Sequence, residues 1–321
     1  MKRFHKIFHP EVFQGSAKLK NYFEGWYFKN VSHDLKHAMA FIPGVSLSDD
    51  PHAFVQYIDG IAGRTAYFRY DINKFESVRG KFLIRIGESA FSAERVDLHL
   101  RNSEYIIDGS LEYNGITRLP QTLLMPGIMG WYSYIPVMEC NHGVISVNHG
   151  ISGSVTVNGT LYDFSHGRGY LEKDWGVSFP ESWLWLQCNN FTTPDTSIMV
   201  SIAKIPWMGR YFIGLISFLS FAGRIEVFAT YNRSEIVSLR QGSNSVTEIV
   251  IRRNRKRLTV TVNKSSSGVI VAPVEGKMAN MIRESIDSEV SFEFDDGNGE
   301  TIHDTGKRAG YEEMEKIFTY F

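Results

Sequence analysis

Residues 21–30 read NYFEGWYFKN. Tyr22, Phe23, Trp26, Tyr27 and Phe28 crowd one carboxylate, Glu24, and one glycine, Gly25. Aromatic side chains suit a pleated, half-buried strand. Alternation puts Tyr22, Glu24, Trp26 and Phe28 on one face and Phe23, Gly25, Tyr27 and Lys29 on the other. An acid on an aromatic face has two fates. Desolvation raises its pKa and keeps it protonated nearer neutrality, or a buried cation pairs with it. The residues alone leave both open, with Arg64 and Arg168 as candidate internal partners.

The same alternation recurs along the chain. KFLIRIG (81–87), RVDLHLR (95–101), GSVTVNG (153–159), RLTVTVN (257–263) and EVSFEFDDGNG (289–299) read as half-buried strands separated by turn residues. Only EGKMANMIRES (275–285) and YEEMEKIF (311–318) read as helices. The basic run IRRNRKRL (251–258) links two alternating strands around Asn254 and reads as a solvated hairpin tip.

The chain also repeats itself. Trp26 in EGWYFKN matches Trp185 in WLWLQCN, 159 positions on, and Asn30 matches Asn189. Arg64 in AGRTAYFRY matches Arg224 in AGRIEVFATY, 160 on. Gly169-Tyr170 matches Gly310-Tyr311, 141 on. The smaller last shift requires extra residues in the first half. LPQTLLMPGIMGWYSYIP (119–136) supplies them as an irregular insertion, either a binding-loop lid or a core-packing crossover. The expected organisation is an N-terminal extension (1–19), a first lobe (20–176) carrying that insertion, and a second lobe (177–321). The fold class is all-β: two consecutive lipocalin-like antiparallel β-barrels from an internal duplication, with few short helices. A pair of immunoglobulin-like sandwiches is the competing architecture.

Composition narrows the function. Of 321 residues, 43% are hydrophobic and 13% aromatic, enough for large cores. Lysine and arginine number 34 against 35 acids, for a net charge of −1, so nucleic acid is not an expected partner. The stretch MKRFHKIFHPEVFQGSAKLK has no continuous apolar core, and the longest apolar run, 211–222, is too short to span a bilayer as a helix. With only Cys140 and Cys188, a cytoplasmic protein with reduced thiols is expected. KIPWMGRYFIGLISF (204–218) reads as a buried hairpin or as a pocket mouth making transient contact with a membrane surface. The oligomeric state is not legible. No GxGxxG, phosphate loop or GxSxG motif occurs, so no cofactor is expected.

Two further stretches carry candidate chemistry. GRGYLEKDWGVSFPESWLWLQCNNF (167–191) brings Glu172, Asp174 and Trp175 close, then Trp183, Trp185 and Gln187. Gly176 and Pro180 suggest a strand end near Trp175, with the acids at an inter-lobe turn. Two nearby carboxylates can split into an acid and a base, or form a solvated strand end. MECNHGVISVNHG (138–150) holds Glu139, Cys140, His142 and His149. The His-x6-His spacing puts the imidazoles on opposite faces, and a zinc site would need a third ligand, His166 or a distant carboxylate, so no metal is expected.

The blocks HPEVFQG (9–15), YFEGWYFK (22–29), MECNHGVISVNH (138–149) and residues 167–191 resemble the tocopherol cyclase family. The resemblance implies paired lipocalin-like barrels and kinship with carotenoid hydratases such as hydroxyneurosporene synthase. Members cyclise a prenylated quinol to a chromanol without a redox cofactor. An acid protonates the alkene, the quinol hydroxyl attacks the carbocation, and aromatic faces stabilise that cation and exclude water. By this resemblance Glu24, Asp174 and Glu172 are the candidate catalytic acids. Trp26, Tyr27, Trp131, His142, Trp175, Trp185 and Gln187 are the candidate substrate-binding residues in an apolar aromatic pocket. The expected partner is a hydrophobic or amphiphilic small molecule, and the alternative function is a non-catalytic carrier of a lipid, isoprenoid or quinone.

Overall fold

The aromatic segment that opens the sequence becomes a ten-residue strand, β1 (Tyr22–Val31), buried along almost its whole length. A computed structural model of the chain describes residues 2–15, 20–242 and 245–321. The expected boundary at residue 19 falls against residues 16–19, which lie outside the described residues. Alternating runs become strands throughout. After β1 come β2 (Ala38–Leu47), β3 (His52–Asp59), β4 (Arg64–Asp71), β5 (Phe75–Ser77), β6 (Leu83–Ile86), β7 (Ser89–Ser92), β8 (Arg95–Arg101), β9 (Ile106–Thr117), β10 (Cys140–Val157), β11 (Thr160–Asp163) and β12 (Gly167–Gly176). They form one antiparallel sheet in the order β4-β3-β2-β1-β12-β10-β9-β8-β7-β6-β5, with β11 beside β10.

The second half repeats the design. Its strands are β13 (Trp183–Cys188), β14 (Ser197–Trp207), β15 (Arg210–Phe221), β16 (Arg224–Ala229), β17 (Glu235–Gln241), β18 (Val246–Arg253), β19 (Lys256–Asn263), β20 (Gly268–Val274), β21 (Lys277–Asp295) and β22 (Thr301–Glu313). Their order is β16-β15-β14-β13-β22-β21-β19-β18-β17, with β20 beside β21. In both sheets four consecutive strands are followed by the last long strand, which closes back beside the first. Arg64 and Arg224, matched in sequence, open β4 and β16; the Gly-Tyr pairs lie within β12 and β22. The duplicated pair of antiparallel, lipocalin-like β lobes is therefore what the chain forms.

By their contacts the two units are residues 1–179 with 269–282, and 180–268 with 283–321. Residues 269–282 reach the first unit through side chains of β2 to β4. Gln56 donates to Val271 O and accepts from Val271 N, Thr65 donates to Val269 O, and Ser46 donates to Gly276 O. The first core collects Trp26, Phe28, Phe41, Phe68, Phe91 and Leu171 on the inner face of its sheet. The second collects Leu186, Val200, Leu219, Ile249, Val260 and Phe292.

Both expected helices fail. Residues 275–285 form the turn into β21 and its first part, with exposure alternating from Lys277 to Met281 as on a strand. Tyr311–Glu313 belong to β22, and the tail turns as a 3-10 helix at Glu315–Tyr320. Among the described residues one α-helix forms, α1 (Lys2–Phe8), which was not expected. Asn254, with φ 56°, sits in the two-residue turn between β18 and β19, as its hairpin reading requires.

Residues 9–15, after α1, lie as a strap against the inner face of β1, β10 and β12, held by one buried ion pair. Lys173 on β12 pairs with Glu24 on β1, and both are fully buried. The Lys173 ammonium donates to Pro10 O and Val12 O, each at 2.7 Å. Glu24 accepts from Gln14 N at 2.8 Å, Gly15 N at 2.9 Å and the Tyr22 hydroxyl at 2.5 Å. Trp26 Nε1 donates to Glu11 O at 2.8 Å. Gly143 permits this approach, since a Cβ there would come within 2.5 Å of the Pro10 side chain.

Removing one member of a buried, hydrogen-bonded charge pair strands the other. Lys173→Met is expected to lower unfolding free energy by about 3–5 kcal/mol. Lys173→Met with Glu24→Gln should recover part of that loss. Urea denaturation checks this, and a single-variant loss below about 1 kcal/mol, the range of exposed pairs, would contradict the anchoring role.

Candidate active site

The register of β12 decides where its charged residues go. Trp26 lies opposite Lys173, and Tyr27 opposite Glu172, across β1. Lys173 thus shares the inner face with Trp26, and Glu172 and Asp174 share the other face with Tyr27. On the far side of β12, His142 lies opposite Asp174 in β10. Cross-strand partners project to the same side, so one imidazole meets both carboxylates. His142 Nδ1 lies 2.9 Å from Asp174 Oδ1, and Nε2 lies 3.2 Å from Glu172 Oε2, off the line of a straight hydrogen bond. The Tyr170 hydroxyl donates to Glu172 Oε2 at 2.5 Å. Met129, buried in the 118–139 segment, accepts His142 N–H on its sulfur at 3.1 Å.

The electrostatics follow from this clasp. Burial disfavours the imidazolium, but Glu172 and Asp174 act more strongly together and hold His142 well above the usual histidine range. Burial, and then Glu172, push the Tyr170 phenol well up, so it remains a donor. Burial, with Asp174 adding to it, raises the Cys140 thiol. The clasp favours the charged imidazole, and Asp174 is its more open carboxylate: 24% of that side chain is exposed, against 5% for Glu172. One ligand atom from each of His142, Glu172 and Asp174 lies within 4.8 Å of the others. With both ring nitrogens facing carboxylates, the grouping fits a proton-holding triad.

Glu24 does not stand as a lone desolvated acid. Lys173, Tyr22 and two backbone amides occupy its oxygens. The buried cation is this lysine, instead of Arg64 or Arg168. Trp26 and Trp175 flank the same ammonium, with ring centroids 4.6 and 4.9 Å from Nζ. Burial lowers Lys173 to about 8, with Glu24 acting in the opposite direction. The acids expected at an inter-lobe turn, Glu172 and Asp174, instead sit inside β12, paired on both sides.

The other candidates are dispersed. Trp131 stacks on Tyr132 at 4.1 Å in the 3-10 turn Gly130–Tyr134 and is exposed. Trp185 and Gln187 are buried on β13 of the second unit. His149 turns the opposite way from His142, packing on Tyr113 of the first core and bonding the Ser146 hydroxyl at 2.9 Å. Burial holds it down to about 3. A cavity of about 470 Å³ in the first unit, lined by Ser48, Asp50, His52, Tyr67, Arg69 and Lys277 among others, contains none of the candidates. Lys173 and Tyr170 were missed. Tyr170 had a signal: in the duplicated Gly-Tyr pair, Tyr311 likewise donates to a carboxylate two residues on, Glu313.

The raised His142 value makes a signed prediction. A folded-state value above the unfolded one stabilises fully below pH 6.5, and that contribution is lost as pH rises through the folded value. The stability difference between wild type and His142→Gln, largest at pH 6 and below, should shrink steadily into the alkaline range. Denaturation series at several pH values test it, and a difference independent of pH would contradict the clasp.

A family model described as tocopherol cyclase-like matches residues 120–313, more than half of the chain. The chloroplastic tocopherol cyclase of Zea mays is 38% identical over 86 residues, covering 26% of this chain and 18% of that protein. A probable chloroplastic tocopherol cyclase of Oryza sativa subsp. japonica is 33% identical over 75 residues, covering 23% and 16%. The matches thus span less than a fifth of either relative. Among solved structures, CghA superposes with a TM-score of 0.60 at 12% identity over 92% of this chain and 90% of its own. CghA crystallised with Sch210972 gives 0.57 at 12% identity over 91% and 88%. The inner core, the strap and the imidazole clasp are thus features of a chain that belongs to the tocopherol cyclase-like family.

Proposed function

We propose that this protein catalyses acid-initiated ring closure, or hydration, of a prenylated amphiphilic small molecule, with the His142–Glu172–Asp174 cluster as proton source. The observation that carries this reading is the imidazole of His142 held between two carboxylates on one face of β10 and β12, whose charges hold it well above the usual histidine range. Family membership supports a cyclase-like reaction, and the CghA complex with Sch210972 supports a small organic ligand as the type of molecule.

In this reading His142 passes its Nδ1 proton to Asp174, the most open member, and Asp174 delivers it to the substrate alkene. A tertiary carbocation forms at the more substituted carbon. A substrate hydroxyl closes the ring, or water adds, and the O–H proton released returns to Asp174 and His142. Electrons and protons balance, so neither ring closure nor hydration calls for a redox partner. Tyr170 fixes Glu172, whose negative charge keeps His142 loaded. Tyr27, opposite Glu172 on the same face, is the aromatic ring for the developing cation. Glu24, Trp26 and Trp175 support the site from the other side of the sheet.

With a prenylated methylquinol as probe, Asp174→Asn and His142→Gln should each lower kcat by about 10²–10⁴-fold and leave ligand affinity within about threefold. Glu24→Gln should reduce stability and leave kcat of the folded fraction near wild type. Probe bound and recovered unchanged after long incubation would overturn catalysis and leave the carrier function.

A further inference from the structure

We propose that the segment between β9 and β10, together with α1, is a docking face for an anionic lipid surface. Residues 119–138 contain no charged side chain, yet Leu123, Leu124, Trp131 and Val137 are exposed, Leu124 at 79% and Val137 at 81%. Isolated exposed apolar residues are ordinary; a cluster confined to one uncharged segment is not.

The segment holds these residues out by construction. Leu119, Ile128 and Met129 are buried and root it. Thr122 N donates to Met125 O at 2.9 Å, and Met125 N donates to Thr122 O at 3.1 Å, closing a tight turn with Leu123 and Leu124 at its tip. The Tyr134 hydroxyl donates to Leu123 O at 2.7 Å and props that turn from behind. Trp131, Tyr132 and Tyr134 add the aromatic types that prefer the boundary between headgroups and hydrocarbon.

Charge selects the partner. Gln121 Nε2 donates to Phe8 O at 3.0 Å, which fastens α1 to this segment. The sequence of α1, KRFHKIF, contains Lys2, Arg3 and Lys6 and no acid, and Phe4 is exposed. Arg118 lies at the root of the segment, half-exposed. Glu11, the one acid in residues 1–23, is nearly buried and paired with His9 and Arg118. By sequence, Lys2, Arg3, Lys6 and Arg118 outnumber Glu11, although Lys6 donates to Gln14 O at 2.7 Å and Arg118 pairs with Glu11. Apolar residues beside such an excess of cations suit a bilayer with anionic headgroups, where insertion and charge attraction add. Lysine is depleted in the cores of protein interfaces, which argues against a protein partner here. This face does not depend on the catalytic reading, although it would bring the protein to the phase that dissolves a prenylated substrate.

Vesicle flotation of the full chain tests the proposal, using phosphatidylcholine with and without phosphatidylglycerol. The expected result is binding to the anionic vesicles, weakened by added salt. Leu123→Ser with Leu124→Ser should weaken it by at least about tenfold, and Lys2→Glu with Arg3→Glu should abolish its preference for phosphatidylglycerol. Leu123 and Leu124 are exposed, and unchanged circular dichroism and melting certify the fold of each variant. Met208→Ser, in the exposed turn between β14 and β15 of the second unit, should bind like wild type. Failure to float, binding that survives the leucine changes, loss with Met208→Ser, or leucine-dependent self-association in place of vesicle binding would each overturn the assignment.

Discussion

A lysine and a glutamate, both fully removed from water, join β1 to β12 in the first sheet. Burying two charges is costly unless their remaining hydrogen-bonding capacity is met. Here the chain supplies the missing partners. Lys173 spends its other donors on two strap carbonyls, and Glu24 accepts two strap amides and a phenol. The strap is therefore fixed by satisfied charges as well as by apolar packing. Two indoles flanking the ammonium add cation–π attraction in a place where water does not compete.

The same constraint orders the chemistry on the other face. Strand alternation means that fixing Lys173 inward fixes Glu172 and Asp174 outward. A slip of one residue would turn the two acids to the inner face and the lysine to the outer one. The ion pair thus sets the register that places both carboxylates around His142. Nature of the partner then distinguishes the duplicated halves. Each keeps a tyrosine that donates to a carboxylate two residues on, but Glu172 faces a histidine and Glu313 pairs with Lys264. A histidine can gain and lose a proton near neutrality, whereas the lysine pair is a fixed charge contact.

Much of the architecture was legible because it is local. Alternation identifies strands such as 95–101 and 257–263 without knowledge of their partners, and the duplicated Arg64/Arg224 and Gly-Tyr signals land at equivalent places in two sheets of matching order. The false helix at 275–285 arose because Met278, Met281 and Ile282 follow a helical spacing; pairing of the long strand β21 with its neighbours overrides that pattern. The site was legible only in pieces. MECNHG and LEKDW each carry a candidate, but the register of β10 against β12 that joins His142 to Asp174 is a long-range fact. Reading Glu-Lys-Asp as a strand end hid Lys173, whose partner Glu24 lies far earlier in the chain.

The central claim is that His142 carries two ring protons while held between carboxylates. Neutron diffraction from perdeuterated crystals grown near pH 7.5 would observe this directly. The account predicts deuterium density on both Nδ1 and Nε2 of His142. A neutral imidazole with one deuterated nitrogen would contradict it.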